Sequence, residues 1–222
     1  MLYADELPRC GGDAESGEAI LAMETGFNLS VAIYSPDTTM IAIGGRVKET
    51  YLGIIKIWDA NTAKLVANLK GHTNMVSSLA WTKDRKTLIS GSFDSSIVTW
   101  NTTTWQHIQV LTGHTNYIAG IALSANDRIL ASASIDNTAR LWNLEYGQLI
   151  GLPLQHAQPL QCVSFSTDGK LLATGCWNSN AYTWDVSAIL RDAGLDNLLS
   201  DPNVSSAFLI LSLRTERAIL VG

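Results

Sequence analysis

Charge is scarce in this 222-residue chain, where Asp, Glu, Lys and Arg together make up 16% of residues. Lys and Arg number 15 against 20 Asp and Glu, a net charge of −5. That balance argues against a surface built to coat phosphate backbones, so no nucleic-acid partner is expected. Cysteine is scarcer still: Cys10, Cys162 and Cys176 are odd in number and form no CxxC pair. This excludes a disulfide framework and suits a reducing, intracellular setting, cytoplasmic or nuclear. No run approaches the roughly 18 apolar residues that a membrane span requires. The longest late run, Ala207–Leu213, falls far short, and the first residues lack the basic-then-apolar order of a secretory signal. No membrane partner is expected. Also absent are a phosphate-cradling glycine loop, HExxH, GxSxG and any Cys/His cluster at zinc spacing. With no poised acid, base or nucleophile in view, no catalytic residue, cofactor or metal ligand is expected.

What is present is apolar: 46% of residues, enough for a sizeable core. The acidity is local. Residues 1–24 carry Asp5, Glu6, Asp13, Glu15, Glu18 and Glu24 against Arg9 alone, and the rest of the chain is neutral. Self-similarity then sets the organisation. Trp58, Trp100, Trp142 and Trp184 recur every 42 residues, as do His72, His114 and His156, and Asp94, Asp136 and Asn178. Ser90, Ser132 and Thr174 keep the same step, and so does the basic column Lys86, Arg128 and Lys170. Within one period, apolar runs at Met75–Trp81, Thr87–Ser92, Ser96–Trp100 and Gln106–Leu111 are separated by turn signals. Four short antiparallel strands per period predict an all-β propeller blade, and blades must stack to bury both faces.

Gly71-His72 and Gly113-His114, with Trp58-Asp59 and Trp184-Asp185, resemble the GH…WD signature of the WD-repeat family. The likeness covers about residues 15–186, and phrases such as Ala32–Asp37 and Asp127–Leu144 resemble a fungal branch of that family. It implies structural tetrads: His72, Ser90, Asp94 and Trp100; His114, Ser132, Asp136 and Trp142; and His156, Thr174, Asn178 and Trp184. In such a set the imidazole, hydroxyl, carboxylate and indole N–H satisfy one another away from water, and each stranded group would cost about 1–3 kcal/mol. The first blade departs from the pattern, with Phe27 where His is expected and no clear Asp.

The chain therefore divides into an acidic segment 1–14, an outer strand within 15–26, and blades at 27–70, 71–112 and 113–155. The inner strands of a fourth blade follow at 156–186, and then a non-repeating tail, 187–222. Within that tail Val186–Leu199 is expected to be a short helix ended by Pro202. The family latches its ring with an N-terminal outer strand, for which Ala19–Met23 is the candidate. Four blades leave three outcomes open: a closed four-blade ring, a two-chain eight-blade ring (a homodimer), or an arc of a larger propeller.

In the family, residues just before the turn Asp and just after the His line one face of the disc. Here these are Phe93, Ile135 and Trp177, with Thr73, Met75, Thr115, Tyr117 and Pro159. Large apolar side chains at turns suit partner hot spots, so Phe93, Ile135, Trp177, Met75 and Tyr117 are the candidate partner-binding residues. Packing against a neighbouring loop is the competing expectation. Trp105, in the turn after the third strand, is read as a lid over the blade edge, and the basic column as solvated turns. The expected function is a non-enzymatic scaffold for a protein or peptide partner. Two alternatives are the sensor part of a larger signalling protein and a ubiquitin-ligase substrate adaptor. The adaptor needs Arg two places after each Trp-Asp, where Asn61, Thr103, Glu145 and Ser187 stand.

Overall fold

The computed structural model describes residues 24–199. The expectations for segment 1–14, for Ala19–Met23 and for Ala207–Leu213 lie outside the described residues. Fifteen strands form four antiparallel sheets in chain order. The first holds β1 (Asn28–Tyr34), β2 (Met40–Arg46), β3 (Gly53–Asp59) and β4 (Leu65–Lys70). The second holds β5 (Val76–Trp81), β6 (Thr87–Ser92), β7 (Ile97–Asn101) and β8 (His107–Leu111). The third holds β9 (Ile118–Leu123), β10 (Ile129–Ser134), β11 (Thr138–Asn143) and β12 (Gln148–Gln155). The fourth has three strands, β13 (Leu160–Phe165), β14 (Leu171–Cys176) and β15 (Ala181–Asp185).

The hairpins form where the sequence can satisfy a tight turn. In each first turn a hydroxyl and an acid or amide two residues on close the loop, as with Ser35 and Asp37, Thr82 and Asp84, Ser124 and Asn126, and Ser166 and Asp168. The left-handed residue of those turns is Thr38, Arg85, Asp127 or Gly169. In the third turns, Asp59 and Asn101 accept backbone N–H groups from the residues that follow. These local bonds replace the backbone partners that a sharp reversal would otherwise leave unpaired.

The sheets stack face to face through apolar seams. Ala42, Ile55 and Ile57 of the first meet Val76, Leu79 and Leu88 of the second. Ile89 and Ile97 meet Ile118, Leu130 and Trp142 across the next seam. The third seam joins Ile129, Ala131, Leu141 and Ile150 to Leu172. Full burial of each such side chain favours the packed state by about 1.5–3 kcal/mol, set against the entropy of ordering it. The approach is close: a Cβ on Gly91 would stand 2.8 Å from Ile118 Cγ2. Inner strand packs on inner strand, β1 on β5, β5 on β9 and β9 on β13. The four sheets thus follow one another side by side in chain order.

After β15 comes a helix, α1 (Val186–Asp192), shorter than expected. Asp185 caps its start, accepting the Ala188 N–H at 2.9 Å. It ends well before Pro202 because Gly194 adopts a left-handed φ of 69°, letting the Leu195 N–H reach back to the Leu190 carbonyl at 2.8 Å. A 3-10 turn, Asp196–Leu198, follows, and Val186, Leu190 and Leu198 are buried against the third and fourth sheets.

Candidate partner-binding groove

Two complete hydrogen-bonded tetrads anchor the two middle sheets. Trp100 Nε1 donates to Ser90 Oγ at 2.9 Å, and Ser90 Oγ lies 2.8 Å from His72 Nε2. His72 Nδ1 lies 2.8 Å from Asp94 Oδ2. A carboxylate only accepts, so the neutral imidazole carries its proton on Nδ1 and accepts the serine proton at Nε2. Trp142, Ser132, His114 and Asp136 repeat this at 2.9, 2.7 and 2.8 Å. Burial pushes the Asp94 carboxyl up, but the His72 and Ser96 bonds outweigh it and hold it well below the usual carboxylate range. Asp136 is held down in the same way by His114, Thr138 and the Thr115 N–H, against its burial.

The other two sheets differ. In the fourth, His156 Nε2 and Trp184 Nε1 both bond Thr174 Oγ1, at 2.8 and 3.1 Å. His156 Nδ1, however, turns to the Leu154 carbonyl at 2.9 Å, and Asn178 accepts from Asn180 instead. Asn178 is therefore not brought into the set: an amide brings no charge to hold the imidazole, and a backbone carbonyl competes for it. Burial lowers the His156 pKa below its ordinary value. In the first sheet the polar set is replaced by an apolar cluster of Phe27, Ile41, Ile43 and Trp58. By strand register, Ile43 stands where Ser90 does in the second sheet, and Trp58 Nε1 is buried without a partner among the described residues.

The tetrads fix the loops on one face. Asp94 Oδ2 also accepts the Thr73 N–H at 2.9 Å, tying the His loop to the hairpin turn. Across the same gap the backbone N–H groups of Phe93, Ile135 and Trp177 bond the carbonyls of Met75, Tyr117 and Pro159, at 2.9, 2.9 and 3.0 Å. Paired in this way, Met75, Phe93, Tyr117, Ile135 and Trp177 line one open groove of about 810 Å³. Phe93 and Tyr117 stack face to face, centroids 4.6 Å apart and planes 2° from parallel. Phe93 thus does pack against the neighbouring loop, while Trp177 stays 59% exposed. Thr73, Thr115 and Pro159 are not part of the lining.

The rest of the lining was not foreseen. Each inner strand carries one β-bulge, between Leu29 and Val31, Val76 and Ser78, Ile118 and Gly120, and Leu160 and Cys162. The extra residues, Ser30, Ser77, Ala119 and Gln161, all line the groove. A bulge leaves one residue out of the ladder and re-aims its side chain. Ser77 Oγ uses this freedom to bond the carbonyls of Gly91 and Ile118, the latter in the next sheet, and Ser30 does the same with Gly44 and Val76. Ser77, Ala119 and Gln161 keep the 42-residue step, which was the available signal, but Ser, Ala and Gln share no chemistry that marks a column. Asn116 completes the lining, to which no Asp, Glu, Lys or Arg contributes among the described residues.

Elsewhere, Trp105 sits edge-on to Trp81, centroids 6.4 Å apart, over the edge of the seam. Of the basic column, the Lys86 and Lys170 N–H groups bond Asp84 and Asp168, and Arg128 reaches the Asn197 carbonyl at 2.8 Å. Cys162 is exposed and Cys176 buried. Among the described residues no group of His, Cys, Asp and Glu could hold a metal ion, and no helix is long and apolar enough to cross a membrane.

The family model for the WD domain, G-beta repeat, matches residues 63–101, 105–143 and 147–185, a little over half of the chain. The inner strands of the first sheet, where Ile43 and Phe27 replace the tetrad, lie outside these runs. The chain is 31% identical over 84 residues to retinoblastoma-binding-like protein E of Dictyostelium discoideum, covering 38% of this chain and 15% of that protein. It is 33% identical over 87 residues to meiotic fizzy-related protein 1 of Schizosaccharomyces pombe, covering 38% of this chain and 19% of that protein. The matched stretch thus spans less than a fifth of either relative.

Proposed function

The chain belongs to the WD-repeat family, and from that premise we propose that it is an intracellular, non-enzymatic interaction module that seats a partner polypeptide in the Met75/Phe93/Tyr117/Ile135/Trp177 groove. Proteins of this family generally act as protein-interaction scaffolds. The observation that carries the reading is the convergence of five large side chains from three sheets on one open groove. Their backbones are tied in pairs across it, so little ordering remains to be done on binding. Exposed aromatic surface beside the polar side chains of Ser30, Ser77, Asn116 and Gln161 is the composition of an interface hot spot. Among the described residues the lining carries no Lys or Arg to neutralise phosphates, which disfavours nucleic acid or an anionic membrane as the occupant.

Selection of peptides from a random display library on the immobilised chain tests this. Enriched peptides should bind Trp177→Ala and Tyr117→Ala at least about tenfold more weakly than the parent, the loss of a hot-spot contact. They should bind Ile108→Ala, altered on an outer strand, as well as the parent. Enriched peptides indifferent to the groove variants would refute the assignment.

A further inference from the structure

We infer that the groove takes a proline-rich segment of a partner, held as a left-handed polyproline helix. This rests on the groove being the partner site and names what fills it. The backbone around the groove is already paired with itself. The N–H groups of Phe93, Ile135 and Trp177 bond carbonyls across the gap. Those of Met75 and Tyr117 fold back onto Asn74 Oδ1 and Asn116 Oδ1, each at 2.8 Å. The carbonyls of Asn74 and Asn116 accept from Ser92 Oγ and Ser134 Oγ at 2.9 and 3.0 Å, and the same hydroxyls accept the Asp94 and Asp136 N–H groups. A partner strand laid here would bring its own N–H and C=O groups to a rim whose backbone is occupied, and each one left unpaired opposes binding. A proline segment makes no such demand: proline has no N–H, and the polyproline helix has no internal hydrogen bonds to keep.

Charge complementarity favours the same occupant. Among the described residues the lining has no ionised side chain, and its unused polar groups are mainly donors. Asn116 Oδ1 is taken by the Tyr117 N–H, which leaves its Nδ2 to donate. Trp177 Nε1 and Tyr117 Oη have no partner among the described residues and stand on side chains that are 59% and 43% exposed. Gln161, exposed on its bulge, adds a further amide. Ser30 and Ser77 donate to backbone carbonyls, so their oxygens are left to accept. Carbonyls along a proline segment answer the donors, and the N–H of any residue between prolines answers the serine oxygens. The apolar part fits as well, because Phe93 stacked on Tyr117 and the exposed Trp177 present ring faces against which pyrrolidine rings pack. Such a ligand is stiff before it binds, so little is left to order.

Titration of the isotopically labelled chain with acetylated, amidated decaproline tests the assignment, read at the Trp177 indole N–H and the Asn116 and Gln161 side-chain amides. These signals should move together and saturate with a dissociation constant below about 1 mM, while a capped Gly-Ser decamer, uncharged but flexible and without rings, leaves them still. Trp177→Phe and Tyr117→Phe each keep a ring and remove one donor at an exposed position. Read at the two amides, each should weaken decaproline about three- to tenfold. Signals unmoved at roughly 5 mM decaproline, an equal response to both peptides, or phenylalanine variants that bind like the parent would overturn the proposal. The display selection separates this failure from that of the groove itself. Enriched peptides that need Trp177 and Tyr117 yet contain no proline would keep the groove as the site and overturn its proline-rich occupant, whereas peptides indifferent to the groove variants would remove both.

Discussion

Replacing Ser132 by Ala removes one oxygen from the centre of the third sheet. Ser132 is fully buried, and its hydroxyl bonds both Trp142 Nε1 at 2.9 Å and His114 Nε2 at 2.7 Å. The alanine methyl leaves an indole N–H and an imidazole nitrogen without partners. His114 and Trp142 are 7% and 3% exposed, so water reaches neither group freely. Each stranded group costs about 1–3 kcal/mol, which places the loss near 2–4 kcal/mol after modest relaxation. Urea unfolding followed by tryptophan fluorescence should show a lower midpoint at an unchanged slope. A loss below about 0.5 kcal/mol would match an ordinary surface substitution and would refute the view that the tetrad holds the sheet and its loop in place.

The first sheet supplies a contrast: Trp58→Phe deletes a buried N–H that has no partner among the described residues and should change stability by less than about 1 kcal/mol, whereas Trp142→Phe removes the bond to Ser132, which keeps only its bond to His114, and should cost about 1–3 kcal/mol in the same urea assay. Acid should weaken the fold in two stages. The folded-state pKa of His156 is depressed below 6.5, so the unfolded chain takes up that proton first and stability declines as pH falls through and below 6.5. Asp94 and Asp136 are depressed below 3.8, so their contribution is intact above that value and is lost below it; the melting temperature of Asp94→Asn should fall less steeply there than that of the parent. Ala63 sits at a φ of 52°, and Ala63→Gly should raise stability by about 0.5–1 kcal/mol, read as a higher urea midpoint.

The tryptophan column at a 42-residue step was enough to place the sheets, because each period repeats the same strands and turns. The groove was legible in part for the same reason. Phe93, Ile135 and Trp177 occupy one turn position, and a large apolar side chain at a turn is visible without coordinates. The bulge residues were not legible, since a bulge shows itself through register and Ser77, Ala119 and Gln161 look like ordinary strand residues. The fate of Asn178 was equally hidden. Its spacing fits the column, yet the Leu154 carbonyl, brought close by β12, takes the imidazole proton. Helix length was misread because Pro202 is a stronger sequence mark than Gly194, while the left-handed φ at Gly194 ends the helix first.

The central claim is that the groove between Phe93, Tyr117, Ile135 and Trp177 is where the partner sits. Its most direct test is an NMR titration of the labelled chain with a library-selected peptide, following the indole N–H resonances. The account predicts that the Trp177 signal and the amides of Ser77, Tyr117 and Ile135 move together and saturate at one affinity, while Trp58, Trp105 and Trp142 stay still. Shifts confined to the outer strands β4, β8 and β12, with Trp177 unmoved, would contradict it.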